Sequence, residues 1–190
     1  LLGHVVTSTT ISVDPEKVSS FATLPRPVTG AQVESFLGSA SYLRDYIPLY
    51  SRIAAPLEAL RKVKVINELW TPECEAAFET FKKVLSVAPI ISAADLSQPF
   101  LVGTDASQSG IGAVLYQIID GKTQFVCFAS RALNPAQRNY PATRRELLAI
   151  VFALQKFRTW LYGTKFTLYT DHRALSFLFT QKHENPMLNY

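Results

Sequence analysis

Hydrophobic positions recur along the chain with two different periods, and the change falls near its middle. Val33, Phe36, Leu37, Ala40 and Leu43 follow i, i+3, i+4 spacing, which predicts a helix capped by Thr29. Thr71-Pro72-Glu73 opens another helix, with Ala77, Phe78, Phe81, Val84 and Leu85 on one face. Between them Ile47 to Leu60 is interrupted by Pro48 and Pro56, so shorter helical pieces are expected, with Ile53, Leu57 and Leu60 inward. Ahead of these, LLGHVV, TSTT and ISV read as a hairpin. Asp14-Pro15-Glu16 then reads as a helix start, stopping before Pro25 and Pro27.

Strand-like patterning takes over after Pro99. A short strand to Thr104 is expected to end at Asp105, followed by a small polar turn over Ala106 to Ser109 and a second strand over Gly110 to Gln117. Asp120-Gly121 is a strong hairpin signal, and Gln124 to Ser130 reads as the third strand. Thr143 to Leu161 is an amphipathic helix closed by Gly163. Lys165 to Thr170 is a fourth strand with Asp171 at its C-terminal end, followed by a short helix from Arg173 to Phe179. Three consecutive strands are expected to be antiparallel, and the fourth, reached through a helical crossover, parallel to a neighbour.

Composition agrees with a folded α/β chain. Its 190 residues are 48% hydrophobic and 12% aromatic, enough to bury a core. No apolar run approaches the roughly 18 residues that a membrane span needs, and the opening residues lack the flanks of a signal peptide. They look like a chain that begins inside a strand. Cys74 and Cys127 have no Cys or His partner at ligand spacing, which fits a reducing, intracellular compartment. His4, His172 and His183 are too scattered for a zinc site.

Charge separates the two halves. Residues 1–97 carry nine Lys/Arg against ten Asp/Glu, whereas residues 98–190 carry ten against five. A basic second half suits a polyanionic partner, although ordinary charge variation gives the same count. The scarcity is more useful. An acidic site there must draw on Asp105, Asp120, Glu146, Asp171 and Glu184.

Asp105 and Asp171 each fall where a strand is expected to end, and Glu146 in the first turns of the crossover helix. Carboxylates so placed project from one edge of a sheet, where sites in α/β folds form. Brought together they repel and hold raised pKa values unless a cation neutralises them. Oxygen ligands without His or Cys favour Mg²⁺ or Mn²⁺, and paired ions of this kind serve phosphodiester cleavage. Each acid also has a plainer reading. Asp171 could cap the helix at Arg173, Asp105 could form an Asx-turn, and Glu146 could sit on a solvated face. The Gly110-x-Gly112 pair lacks a following helix and a third glycine, so easing of backbone crowding explains it better than nucleotide binding.

Four ordered motifs then carry a resemblance. They are Thr104-Asp105-Ala106-Ser107 with Gly110-Ile111-Gly112-Ala113-Val114-Leu115, Ala129-Ser130-Arg131-Ala132-Leu133, Tyr140 to Ile150 around Glu146, and Tyr169-Thr170-Asp171-His172. Together they resemble the ribonuclease H domain of gypsy-type LTR retrotransposon polyproteins. Upstream, Leu2-Gly3-His4 is similar to the family's primer-grip hairpin. Phe36-Leu37-Gly38, Tyr42 to Tyr46, Ala55-Pro56-Leu57 and Trp70 to Phe78 are similar to its thumb and the segment leading into the nuclease.

The resemblance implies an α/β, ribonuclease H-like mixed sheet with flanking helices over residues 98–190, preceded by a helical thumb-like region over 14–97 and the end of the polymerase palm over 1–13. It implies hydrolysis of the RNA strand of RNA–DNA hybrids, with Asp105, Glu146 and Asp171 as catalytic and metal-binding carboxylates for two Mg²⁺ ions, or Mn²⁺. Gly3, His4, Ser107, Arg131, Arg144, Arg145 and His172 become candidate nucleic-acid contacts, with a local structural role for His172 equally open. The implied partners are the hybrid and the rest of the reverse transcriptase and Pol polyprotein, with no membrane, in a cytoplasmic particle or the nucleus. The family's fourth metal-binding Asp and last helix would fall beyond Tyr190, so a remnant that binds hybrid without efficient cleavage is the alternative.

Overall fold

A computed structural model of the chain describes residues 4–7, 10–13, 21, 23–86 and 90–172. The expected helices beginning at Asp14 and at Arg173 lie outside these residues. Among the described residues no helix is long and apolar enough to cross a membrane.

β1 (His4–Val6) and β2 (Thr10–Val13) form the expected antiparallel hairpin, with His4 paired to Val13. β3 (Ile90–Ser92), which the sequence pattern does not announce, joins the other side of β2. Thr29 caps α1 (Gly30–Tyr42), its Oγ1 accepting from the Gln32 N–H at 3.3 Å. Val33, Phe36, Leu37, Ala40 and Leu43 are buried as the spacing requires. A 3₁₀ turn over Arg44–Tyr46 leads to α2 (Tyr50–Glu58), and α3 spans Pro72–Ser86.

Pro56 does not interrupt α2 as expected; it lies inside the helix. Only one backbone bond is forfeited so near the helix end, and burial of Leu57 and Leu60 on either side of the last turn outweighs it. Phe36, Phe78 and Phe81 form the centre of this first core, with ring centroids of Phe36 and Phe78 4.9 Å apart. Each such buried side chain contributes about 1.5–3 kcal/mol of transfer free energy.

The second core lies under a four-stranded sheet in the order β6-β5-β4-β7, where β4 is Phe100–Ala106, β5 Gly110–Ile119, β6 Lys122–Ala132 and β7 Phe166–Tyr169. β4, β5 and β6 are antiparallel neighbours, and β7 pairs with β4 in parallel, as the crossover predicts. Asp120 (φ 51°) and Gly121 (φ 73°) both occupy the left-handed region that a two-residue hairpin turn requires. That tight turn lets β6 pair from Lys122 onward, two residues earlier than the pattern suggests.

After the short α4 (Pro135–Arg138), α5 (Ala142–Lys156) packs on β4 and β5. The expected single helix to Leu161 breaks at Phe157 (φ −93°, ψ 9°), whose fully buried ring anchors a turn before α6 (Arg158–Leu161). Gly163 follows the helix end at φ 77°, as anticipated. The two cores meet where Ser51 N–H donates to Ser130 Oγ and Arg44 Nη2 to Ser130 O, each at 2.9 Å. A Cβ on Gly110 would stand 3.2 Å from the Arg131 backbone oxygen, a tight approach, whereas one on Gly112 would meet only the movable end of the Leu49 side chain.

Candidate carboxylate site

Asp105 is not a strand terminus. It lies within β4, paired across to Gly112, and pairing continues to Ala106 and Ile111. The strand runs on because Ser107, not Asp105, makes the turn. Its N–H and Oγ both donate to Gly110 O, at 2.8 and 3.0 Å, and Oγ accepts from Gly110 N–H at 3.0 Å. The Asx-turn alternative for Asp105 therefore falls away, and its carboxylate remains exposed.

The parallel pairing of β4 with β7 ends at Gly103 opposite Tyr169, and Asp105 and Asp171 each follow two residues further along the chain. Asp171 is exposed like Asp105. Glu146 approaches from the second turn of α5 and is 6% exposed, which excludes the solvated-face reading. Its carboxyl is held above the usual range, first by loss of water and then by the negative charges of Asp171 and Asp105. A hydrogen bond from the Ala106 backbone and the nearby His172 pull the other way. Thus β4, β7 and α5 bring three acids within electrostatic reach of one another.

Buried polar atoms without partners are rare in folded proteins and call for an explanation. Among the described residues the buried side-chain atoms of this kind are Arg145 Nε, Glu146 Oε2 and His172 Nδ1. All three belong to residues at or beside the acids. An orphaned carboxylate oxygen among other acids fits a hard cation by the chemistry of the donor set. Among the described residues no three His, Cys, Asp or Glu side chains stand close enough together to hold an ion as placed.

The expected nucleic-acid contacts divide by how occupied they are. Gly3 lies outside the described residues, and His4 belongs to β1. Arg145 turns inward, Nη1 donating to Tyr140 O at 2.6 Å, while Arg144 is exposed and stacks over the Tyr140 ring at 3.9 Å. Arg131 Nη1 donates to Gln137 Oε1 at 3.0 Å. His172 Nε2 meets Thr143 Oγ1 at 3.0 Å. The sequence reading missed Thr143 and the Ala106 amide. Thr143 was accessible from helical spacing, three residues before Glu146, whereas a backbone donor leaves no mark in sequence.

Comparisons with known proteins bear on the family and the fold. Residues 70–168 match the RNase H-like domain found in reverse transcriptase. The chain is 34% identical over 198 residues to the retrovirus-related Pol polyprotein from transposon opus of Drosophila melanogaster, a match spanning 98% of this chain and 20% of that polyprotein. For the Pol polyprotein from transposon gypsy of the same organism the identity is 36% over 199 residues, with coverages of 98% and 19%. The chain thus spans about a fifth of these relatives. The foamy viral protease-reverse transcriptase in complex with double-stranded DNA superposes on 94% of this chain and 38% of its own, with a TM-score of 0.72 at 20% identity. The same viral enzyme with an RNA/DNA hybrid gives a TM-score of 0.69 at 20% identity over 88% of this chain and 24% of its own. At that identity the likeness is one of fold, and with the sequence matches it establishes that this chain belongs to the RNase H-like domains found in reverse transcriptases, as carried by LTR retrotransposon Pol polyproteins.

Proposed function

We propose that Asp105, Glu146 and Asp171 form the site at which this domain, within a longer Pol polyprotein, hydrolyses the RNA strand of an RNA–DNA hybrid. One observation carries the reading: Glu146 is buried with Oε2 unpartnered, in the field of two further acids. Folding leaves a carboxylate in that condition at a cost, which a bound cation offsets. The three carboxylates would hold two Mg²⁺ ions, or Mn²⁺, whose chemistry is to activate a water and stabilise charge on the leaving 3′ oxygen.

The chain's own groups divide the remaining work. Ala106 N–H orients the Glu146 carboxylate, so one oxygen set is fixed before substrate arrives. Asp105 and Asp171 sit at the exposed rim, where a phosphate can approach. Arg144, presented on the Tyr140 ring, supplies positive charge beside the opening. The basic character of the second half favours arrival of a polyanion.

Cleavage of a labelled RNA–DNA hybrid with Mg²⁺ tests this directly. Asp105→Asn is expected to cost about a hundredfold or more in rate while leaving hybrid binding in place; an undiminished rate rejects the assignment. A second reading, a module that grips hybrid without cutting it, draws on the spread of the acids as placed. Saturable, salt-dependent binding with no Mg²⁺-dependent cleavage would select it.

A further inference from the structure

A cleft of about 830 Å³ opens between the helical region and the outer edge of the nuclease sheet. Arg44, Arg61, Arg131 and Arg138 line it, against a single lining acid, Glu58. Glu58 is already committed, accepting from Arg61 Nη1 at 2.9 Å, and Arg61 also reaches Glu34. Arg44, Arg131 and Arg138 have no carboxylate partner among the described residues. Each is instead tethered through part of its guanidinium. Arg44 Nη2 donates to Ser130 O at 2.9 Å, Arg131 Nη1 to Gln137 Oε1 at 3.0 Å, and Arg138 Nε to Leu133 O at 3.1 Å. A guanidinium has five N–H donors, so each side chain is oriented with donors to spare. Three oriented, unneutralised arginines around one opening are an anion site assembled in advance.

Its position relative to the acids follows from strand register. Asp105 pairs with Gly112, and Gly112 with Ser130. Ser130 therefore lies two strand spacings from Asp105, roughly 10 Å across the sheet. That is the residue to which Arg44 and the Ser51 amide are bonded, and Arg131 follows it directly. That span is short enough for one nucleic-acid strand to pass both places within a few nucleotides.

We propose that Arg44, Arg131 and Arg138 bind the phosphodiester backbone of the hybrid a few nucleotides from the point of cleavage, so that the helical region and the nuclease sheet grip one continuous substrate. This rests on the proposed function. Shape supports it too: Gly38, Ser41, Ser51 and Ala55 line the cleft, and a Cβ on Gly38 would meet nothing within 4 Å.

The test is equilibrium binding of a labelled RNA–DNA hybrid to the 190-residue chain over a series of salt concentrations, without divalent cations. Arg138→Gln is expected to weaken binding about tenfold and to lower the slope of log K against log salt by about one. Arg138→Lys keeps the slope. Arg44→Gln behaves like Arg138→Gln, and because Arg44 also braces the junction, the Arg138 pair decides if that variant misfolds. Arg158→Gln, in α6 and outside the cleft, changes neither quantity. Intact wild-type binding with an unchanged Arg138→Gln slope, or an equal loss in Arg158→Gln, overturns the cleft and leaves the nuclease reading standing. Absence of hybrid binding by the wild-type chain overturns both.

Discussion

Thr143 Oγ1 and His172 Nε2 lie 3.0 Å apart, joining the first turn of α5 to the residue after Asp171. Thr143 and Glu146 are three residues apart on one helix face. The contact therefore links the two elements that carry Glu146 and Asp171. His172 is itself steadied by its N–H, which donates to Thr170 Oγ1 at 3.3 Å. Thr143→Val keeps the shape and removes the bond. The expected result is a fall of about tenfold in the rate of hybrid cleavage with hybrid affinity almost unchanged, and recovery in Thr143→Ser. A single exposed hydrogen bond stabilises by only about 0.5–1.5 kcal/mol, so the melting temperature should barely move. A wild-type rate in Thr143→Val would show that the bond does not set the spacing.

Two glycines in α1 make opposite predictions for the same substitution. A Cβ on Gly30 would collide with the carbonyl oxygen of Val63 and stand 2.6 Å from Leu60 O and 2.8 Å from Arg61 O. These are backbone atoms, and Gly30 N–H also donates to Val63 O at 2.9 Å, so the loop cannot retreat without losing that bond. Gly30→Ala should destabilise by about 3 kcal/mol. A Cβ on Gly38 meets nothing, so Gly38→Ala should stabilise by about 0.5–1 kcal/mol through helix propensity alone. Denaturant unfolding of the two variants measures both signs.

Much of this fold was legible because its signals are local. The Thr29 cap, the Asp120-Gly121 turn and the helical spacing of Val33 to Leu43 each act within a few residues. The parallel placement of β7 followed from chain handedness and a single crossover. β3 escaped notice because three residues carry no usable period, and its pairing with β2 joins Ile90 to Ser12 across most of the helical region. Arg44 was equally hidden: its bond to Ser130 O spans 86 positions. The polar run of Ala106 to Ser109 marked the turn that Ser107 makes, whereas the strand's end, expected at Asp105, lies one residue later at Ala106. Scarcity of acids, by contrast, narrowed the candidates to five without any geometry, and expected strand ends and the crossover helix pointed to Asp105, Glu146 and Asp171 among them.

Glu146 should leave a signature in the pH dependence of stability. Its folded carboxyl titrates above its unfolded value because burial and the charges of Asp171 and Asp105 disfavour ionisation. In the window between the unfolded value, about 4.3, and the raised folded value, the native chain holds a proton that the unfolded chain has released. The unfolded state then binds fewer protons, so stability falls as pH rises through that window and levels off above it. Glu146→Gln removes this contribution while keeping the shape. At pH 7 the variant should melt higher than wild type, by about 2–4 °C for each kcal/mol relieved; at about pH 3, below the unfolded value, where Glu146 is protonated in both states, the curves should converge. Mg²⁺ should raise the wild-type melting temperature at pH 7 and have a smaller effect on the variant, because the cation relieves the same repulsion that the substitution abolishes. Parallel melting curves across the whole pH range would mean that Glu146 is not buried in the field of two acids, and the carboxylate site would lose its central member.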